Sequence, residues 1–511
     1  MNTVPLLSLL VFTPFAGAML LAGLRGISPR IARTVALVFS FSTLALTGIA
    51  LASFQPALAG YQFVERYDWI TALNVHYHLG LDGMSLLLVL LTGIISPAAF
   101  LASANITRSP RLFGALFLLL QSAALGVFLA LDFFHWFLFW ELSLIPAYFL
   151  IKLWGGPKAT HAAYQFVVYT LGGSVFLLLG FAAMFGATGT LDFTELATLG
   201  ADGTLANQLG AFGDFWPRVV FLGVLLGFAV KAPLFPFHAW LPPAYAEAPT
   251  GVSMFLSAIM SKMGVYAFFR ILWPIFPSEL HTAAPVLLVL ALGGVVFGAF
   301  AAMQQTDLKR LIAYSSLNHV SYCLLALFAI AGVSADAANT HAAVISAFGG
   351  ALLQIFNHGL SAAALFFCIG LLETRAGTRG LGDFGGVRSA APVFAGLCGI
   401  AMFSSIGLPG LNGFVGEFLI FKGVFGLAPW AAAVACLGLF ATAFFYLTFW
   451  QRVFHGPSAG SAVAGFADLR RSELTVLIPL TALMLLLGIL PHLLTRLFNP
   501  LITAWANGFT P

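Results

Sequence analysis

The stretch Val230-Lys231-Ala232-Pro233-Leu234-Phe235-Pro236-Phe237-His238 decides the fold. It closes an apolar run that begins at Val219, so a lysine falls about halfway along a segment of membrane length, 218 to 240. Two prolines three residues apart then remove backbone donors and predict a broken or kinked helix. A charge at bilayer depth costs about 2.5 to 3.5 kcal/mol on insertion scales. A helix broken at that depth is tolerated only against protein or a water-filled cavity. The stretch therefore predicts an all-α, polytopic membrane helix bundle with a polar interior.

Composition agrees. Of 511 residues, 60% are hydrophobic and only 8% charged, against roughly 25% charged in an average soluble domain. Such a surface is favourable in lipid, provided that helices satisfy the backbone internally. The basic residues are scattered singly, without the clustered stripe that a nucleic-acid partner requires.

Runs of about 20 apolar residues give fourteen spans: 4 to 24, 31 to 53, 81 to 103, 112 to 130, 133 to 154, 162 to 186, 218 to 240, 250 to 273, 283 to 303, 308 to 331, 340 to 371, 390 to 422, 428 to 450 and 474 to 495. The first is too long for a signal core and reads as a retained helix. Fifteen Lys and Arg, from Arg25 to Arg471, fall in the loops after odd-numbered spans. The opposite face holds five: Arg66, Arg218, Arg270, Lys422 and Arg496. By the positive-inside rule the richer face is cytoplasmic, which puts both termini on the outside. Between the second and third spans, Tyr61 to Tyr77 alternates aromatic and polar residues and predicts an outer β-hairpin.

Fifteen and five leave two of the twenty-two basic residues, Lys231 and Lys262, inside spans. The same count on the acids leaves Glu141 and Glu417. Opposite charge and similar depth predict that Glu141 pairs with Lys231, since either alone is costly to bury. Such a pair works by loosening: when the carboxylate withdraws, the lysine can release its proton. Lys262 is the second lysine able to hold or pass a proton. His319 and His358 are relay candidates, and His238 and His341 weaker ones, because imidazole titrates near neutral pH. The bland alternatives are a fixed salt bridge, a snorkelling lysine and hydrogen-bonded core histidines.

The twelfth span repeats the break of the seventh, with Gly407-Leu-Pro409-Gly410-Leu-Asn412-Gly413 ahead of Glu417. Interrupted helices at corresponding places point to inverted repeats. The expected division is an N-terminal segment 1–111, a first five-helix repeat 112–273, a second 283–450, and a C-terminal helix with a short tail 474–511. The cysteines, Cys323, Cys368, Cys398 and Cys436, make no metal-ligand spacing. No glycine-rich phosphate loop is present. The chain is therefore expected to carry no metal and no cofactor of its own.

Lys231-Ala-Pro-Leu-Phe-Pro-Phe-His-Ala-Trp-Leu-Pro-Pro-Ala-Tyr-Ala-Glu247-Ala-Pro-Thr250, with Ser261-Lys262-Met-Gly-Val-Tyr266 after it, closely resembles the antiporter-like membrane subunits of respiratory complex I, NADH:quinone oxidoreductase. Asp307 to His319, His358 to Phe366 and Gly80 to Ser85 carry the same resemblance. Within the family the chain is most similar to the M branch, by Glu247-Ala-Pro-Thr250 and by Glu417, where the L and N branches have lysine. Tyr245 stands where the family usually has histidine, and Pro243 where it has aspartate.

The resemblance implies proton translocation from cytoplasm to periplasm across a bacterial inner membrane. It implies NADH, FMN, iron–sulfur clusters and quinone in partner subunits, with subunits L and N as neighbours. It implies a path through Glu141, Lys231, Lys262, His319, His358 and Glu417, with His238 and Glu247 as secondary candidates. Two rival functions share the motifs: a multi-subunit cation/proton antiporter, and a membrane subunit of a proton-pumping hydrogenase or formate complex.

Overall fold

The computed structural model describes residues 4–58, 60–333, 340–457 and 466–508. Among the described residues the regular structure is helical apart from one hairpin. The N-terminal helices are α1 (Leu6–Gly23) and α2 (Pro29–Ser53), followed by strands β1 (Gln62–Ile70) and β2 (Val75–Leu81). The strands pair antiparallel, with Tyr67 opposite Tyr77. The expected hairpin is thus present and extends to Leu81, where Asp82 caps α3 (Gly83–Ala102) by accepting from Ser85 N.

Then come α4 (Pro110–Leu129), α5 (Phe133–Leu142), α6 (Leu144–Trp154) and α7 (Ala159–Thr188). Two short helices, α8 (Phe193–Ala201) and α9 (Thr204–Gly210), precede α10 (Trp216–Lys231) and α11 (Leu241–Glu247). The remainder is α12 (Thr250–Ile275), α13 (Pro277–Met303), α14 (Leu308–Ala331), α15 (His341–Ala376), α16 (Pro392–Ile406), α17 (Asn412–Leu427), α18 (Pro429–Phe454), α19 (Arg471–Ile489) and α20 (His492–Gly508).

Twelve helical spans among the described residues are long and apolar enough to cross a membrane. The two further spans expected from sequence are the broken ones: 218 to 240 is α10 with a turn, and 390 to 422 is divided into α16 and α17. Other spans change as well. The fifth is interrupted at Ser143, the ninth begins at Pro277 rather than 283, and the eleventh runs to Ala376 rather than 371. The last span stops at Ile489, ahead of Pro491, and α20 follows as a separate helix.

Four aspartates serve as N-caps. Asp82, Asp132, Asp192 and Asp307 each accept from the first amides of the helix that follows, which satisfies donors that a helix start leaves free. Asp132 and Asp192 sit side by side, because Phe133 N donates to Leu191 O and Phe193 N to Leu131 O. Burial works to raise Asp192, but hydrogen bonds from His78 and Thr194 outweigh it and hold the carboxyl at about 2. Burial pushes Asp132 up to about 6, against three backbone amides that favour its charged form.

The bundle has a lipid-like exterior and a polar centre. Val168, Phe425, Phe440 and Ile489 are each more than 60% exposed, which water would not tolerate in such numbers. The most apolar windows of α12 and α15 are wholly enclosed. These two central helices carry Lys262 and His358.

Candidate functional site

Donors within the protein take up two of the carbonyls freed by the break after α10. Pro233 has no N–H for Ala229 O, so Leu234 N donates there instead, and the Trp240 indole donates to Val230 O at 2.9 Å. Lys231 thereby ends its helix inside the bundle, 2% exposed. Its Nζ donates to Ser143 Oγ at 3.0 Å and to Trp140 O at 3.4 Å, and lies 4.6 Å from the centre of the Trp140 ring.

The expected Glu141–Lys231 ion pair is not formed in this geometry. Ser143 and Trp140 face the lysine from the α5–α6 junction. Residues three apart share a helix face, whereas Glu141, one step from Trp140, is rotated away by about 100°. The carboxylate stays within electrostatic reach of Lys231. Its Oε1 is buried with no hydrogen-bond partner.

Lys262 lies between two π-turns, Leu256–Met260 and Phe268–Leu272. Such turns free backbone carbonyls and concentrate at functional sites. Lys262 Nζ donates to Ser257 O at 2.5 Å and contacts His358 Nδ1 at 2.7 Å and Ser261 Oγ at 3.3 Å. Close packing sets this position: a Cβ on Gly264 would fall 2.4 Å from Ala232 N, so α12 presses directly on the break beside Lys231.

From His358 the chain of polar groups continues. Its ring centre is 5.0 Å from that of His319 on α14. His319 Nδ1 is 3.0 Å from Glu417 Oε1 on α17. Gln354, one turn before His358, donates from Nε2 to Glu417 Oε1 at 3.1 Å, and the same nitrogen lies 3.3 Å from His319 Nδ1. Lys262, His358, His319, Gln354 and Glu417 are all 5% exposed or less.

The second helix break holds Glu417 in place. Gly407 ends α16 at φ +82, a conformation that side chains rarely adopt. A Cβ there would meet Glu417 Oε2 at 2.7 Å. Asn412 and Asn357 clamp the break to α15: Asn357 Nδ2 donates to Asn412 O at 2.6 Å, and Asn412 Nδ2 to Asn357 Oδ1 at 3.2 Å.

The remaining candidates lie elsewhere. His238 is stacked on Phe235 in the first break, with Nδ1 unpartnered. His341 is exposed at the start of α15, near Asn507. Glu247 sits among loop charges: it accepts from Arg379 Nη2 at 3.0 Å and from Lys158 N at 2.9 Å. Arg379 also meets Asp307 at 2.7 Å, and Lys309 meets Glu373 at 2.7 Å, beside a cavity of about 250 Å³.

Sequence reasoning missed several participants. Gln354 and Ser143 carry no charge and gave no signal. Arg270, counted among the loop charges, is buried on α12 at 5% exposure, against Asp82. Its spacing eight residues after Lys262, inside one apolar run, was the available clue. Among the described residues no cluster of three or more His, Cys, Asp or Glu could hold a metal ion.

Residues 130–444 match the family described as NADH:quinone oxidoreductase/Mrp antiporter, and residues 29–131 match the amino terminus of NADH-ubiquinone oxidoreductase chain 4. NADH-quinone oxidoreductase subunit M of Rhodobacter capsulatus is 35% identical over 505 residues, covering 97% of this chain and 95% of its own. A chain of respiratory complex I from Thermus thermophilus superposes with a TM-score of 0.83 at 30% identity, over 98% of this chain and 99% of that one. A chain of the Mrp complex from Dietzia sp. DQ12-45-1b shares the fold, with a TM-score of 0.83 at 22% identity over 100% and 99%.

Proposed function

The chain belongs to the subunit M family of NADH:quinone oxidoreductase, the antiporter-like membrane subunits of complex I, and from that membership we propose that protons cross it along Lys262, His358, His319 and Glu417. One observation carries the route: these four buried side chains form a sequence of groups that hold or exchange protons, and two of its three links are at hydrogen-bond distance. The Lys262 ammonium can only donate, and His358 Nδ1 is its acceptor. The imidazole rings, 5.0 Å apart between centres, complete the second link by reorienting or through a water. His319 is set up for relay, because Nδ1 faces Glu417 while Nε2 has no partner. A proton arriving on Nε2 releases the one on Nδ1 to the carboxylate.

Lys231 and Glu141 act on this route by charge. In the present geometry Ser143 and the Trp140 carbonyl hold Lys231, and Glu141 stands aside. Approach of Glu141 stabilises the charge on Lys231, and its withdrawal releases that charge's effect on Lys262. Energy comes from NADH oxidation in partner subunits, to which this reading assigns FMN, the iron–sulfur clusters and quinone. Subunits L and N are the proposed neighbours.

The breaks after Lys231 and before Glu417 support reading 112–273 and 283–450 as inverted repeats, between 1–111 and 474–511. Loop charge supports transport from a cytoplasmic basic face to a periplasmic hairpin face of a bacterial inner membrane, with both termini periplasmic. The test is His358→Gln in the intact complex, reconstituted in vesicles. Proton uptake per NADH should fall while subunit content stays normal, and an unchanged ratio would remove His358 from the route.

A further inference from the structure

Helix α12 carries polar groups beyond Lys262. Tyr266 and Arg270 follow at four and eight residues, on the same helical face and about 12 Å along the axis at 1.5 Å per residue. They lead toward the hairpin side of the bundle. There a cavity of about 570 Å³ reaches inward to Tyr61, Asp82 and Arg270, between aromatic walls that include Phe193, Trp273 and Trp505. Along this face of α12, Tyr266 and the Asp82–Arg270 pair lie between that cavity and the central lysine.

We propose that the Asp82–Arg270 pair, with Tyr266, is a proton seal that closes the hairpin end of α12, so that a proton on Lys262 leaves through His358 and not through the cavity. This inference rests on the route proposed above and adds a barrier to it. The hydrogen bonds around the pair form a dead end. Arg270 donates from Nε to Tyr266 Oη at 3.3 Å, from Nη1 to Tyr61 Oη at 2.9 Å and from Nη2 to the Asp82 carboxylate. Asp82 Oδ1 also accepts from Ser85 N at 2.9 Å. Tyr266 donates to the Phe128 carbonyl at 3.0 Å, and its oxygen lies 3.0 Å from Ser85 Oγ.

A relay requires groups that both accept and donate. Arginine has five donors and no acceptor, and it keeps its proton in proteins. The carbonyl of Phe128 accepts and passes nothing on. Tyr266, the amphoteric side chain between Lys262 and Arg270 on this face of α12, has its proton committed to that carbonyl. A fixed guanidinium in a narrow passage also excludes protons and other cations. Asp82 keeps the arginine in place, since a buried arginine without a counter-charge is strongly disfavoured.

The experiment uses the whole complex in sealed vesicles, without NADH, and follows the passive decay of an imposed pH gradient. Asp82→Asn with Arg270→Gln keeps a polar passage and removes both charges; the gradient should decay several-fold faster than in wild type, at wild-type NADH:quinone electron transfer. Adding Lys262→Met should return the decay toward the wild-type rate. Asp82→Leu with Arg270→Met makes the passage apolar and should not leak. Wild-type decay in the polar double variant overturns the seal, as does equal leakage in the polar and apolar variants, which marks a packing defect. Should the polar variant fail to assemble, Arg270→His decides, with excess decay over wild type at pH 8 but not at pH 6; equal excess at both overturns the proposal. Pumping by the His358→Gln complex, measured in the same vesicles with NADH, tests the route separately.

Discussion

His319 Nδ1 lies 3.0 Å from Glu417 Oε1, while Nε2 of the same ring is buried with no hydrogen-bond partner. An imidazole held in this way has one nitrogen committed to a carboxylate and the other unpartnered, with the ring centre of His358 5.0 Å away. The side-chain amide of Gln354 touches both members of the His319–Glu417 pair and fixes their mutual orientation. Gln354→Leu removes that donor without adding charge. Without it the pair loses its fixed orientation, and the pumping rate should fall on the order of tenfold, equivalent to about 1.4 kcal/mol on the barrier. Proton uptake per NADH in vesicles of matched subunit content is the measurement, and an undiminished ratio excludes the positioning role.

Glu417→Gln keeps the volume and one acceptor but cannot take a proton. It should assemble normally and lose most proton translocation, whereas Glu417→Lys should retain part of it, because lysine at this depth also exchanges protons. Wild-type pumping in the glutamine variant means that Glu417 is not obligatory.

The first pair behaves differently from a simple buried salt bridge. Lys231 is held by Ser143 and Trp140, so Glu141→Gln leaves those contacts in place and should assemble without the roughly 3 to 5 kcal/mol penalty of breaking a closed buried pair. Its pumping should nevertheless drop sharply. Ser143→Asp puts a permanent carboxylate against Lys231 Nζ and should arrest pumping in an otherwise stable protein. A carboxylate at Ile145 should rescue nothing, because that side chain is 53% exposed on the bundle exterior. Poor assembly of Glu141→Gln, seen by native electrophoresis, would return the pair to a structural role.

Asp132 predicts a pH dependence. Burial raises its carboxyl to about 6 in the folded chain, against 3.8 unperturbed. A raised value means that the favourable contribution is fully present below about pH 4 and is lost as pH rises through 6. At about 1.4 kcal/mol for each tenfold change in proton affinity, about 3 kcal/mol disappears over that window. Asp132→Asn preserves a capping oxygen and should flatten this decline between pH 4.5 and 7.5. Parallel thermal-loss curves for variant and wild type across that range would contradict it.

Topology can be checked at Gly382, which is exposed in the loop after α15, has open space around it and has no positive φ. With Cys436 replaced by serine, Gly382→Cys should react with an impermeant maleimide only from the cytoplasmic side. Labelling from the periplasmic side of sealed, right-side-out membranes reverses the orientation.

Composition and a 20-residue period determined that this chain is a helical membrane bundle, and simple subtraction of loop charges found Lys231, Lys262, Glu141 and Glu417. Both helix breaks were legible, because proline and glycine act on their own backbone. The four N-capping aspartates were not singled out, although a cap bonds within three residues and is just as local. The hairpin was legible as well, although its end and the separate helix α20 were not, since Pro491 divides an apolar run that hydropathy alone reads as continuous.

Only the tertiary structure decided which charges meet. Glu141 and Lys231 match in sign and depth, yet the rotation of α5 presents Trp140 and Ser143 to the lysine instead. The neutral Gln354 became part of the site because α15 packs against α17 at Gly416, whose Cβ would lie 2.7 Å from Gln354 Oε1. Arg270 looked like a loop charge until α12 was enclosed on all sides and Asp82, 188 residues away, supplied its partner. Depth and sign are properties of a single helix and can be read along the chain. Azimuth depends on how helices pack, and packing is fixed by contacts between residues that the sequence keeps far apart.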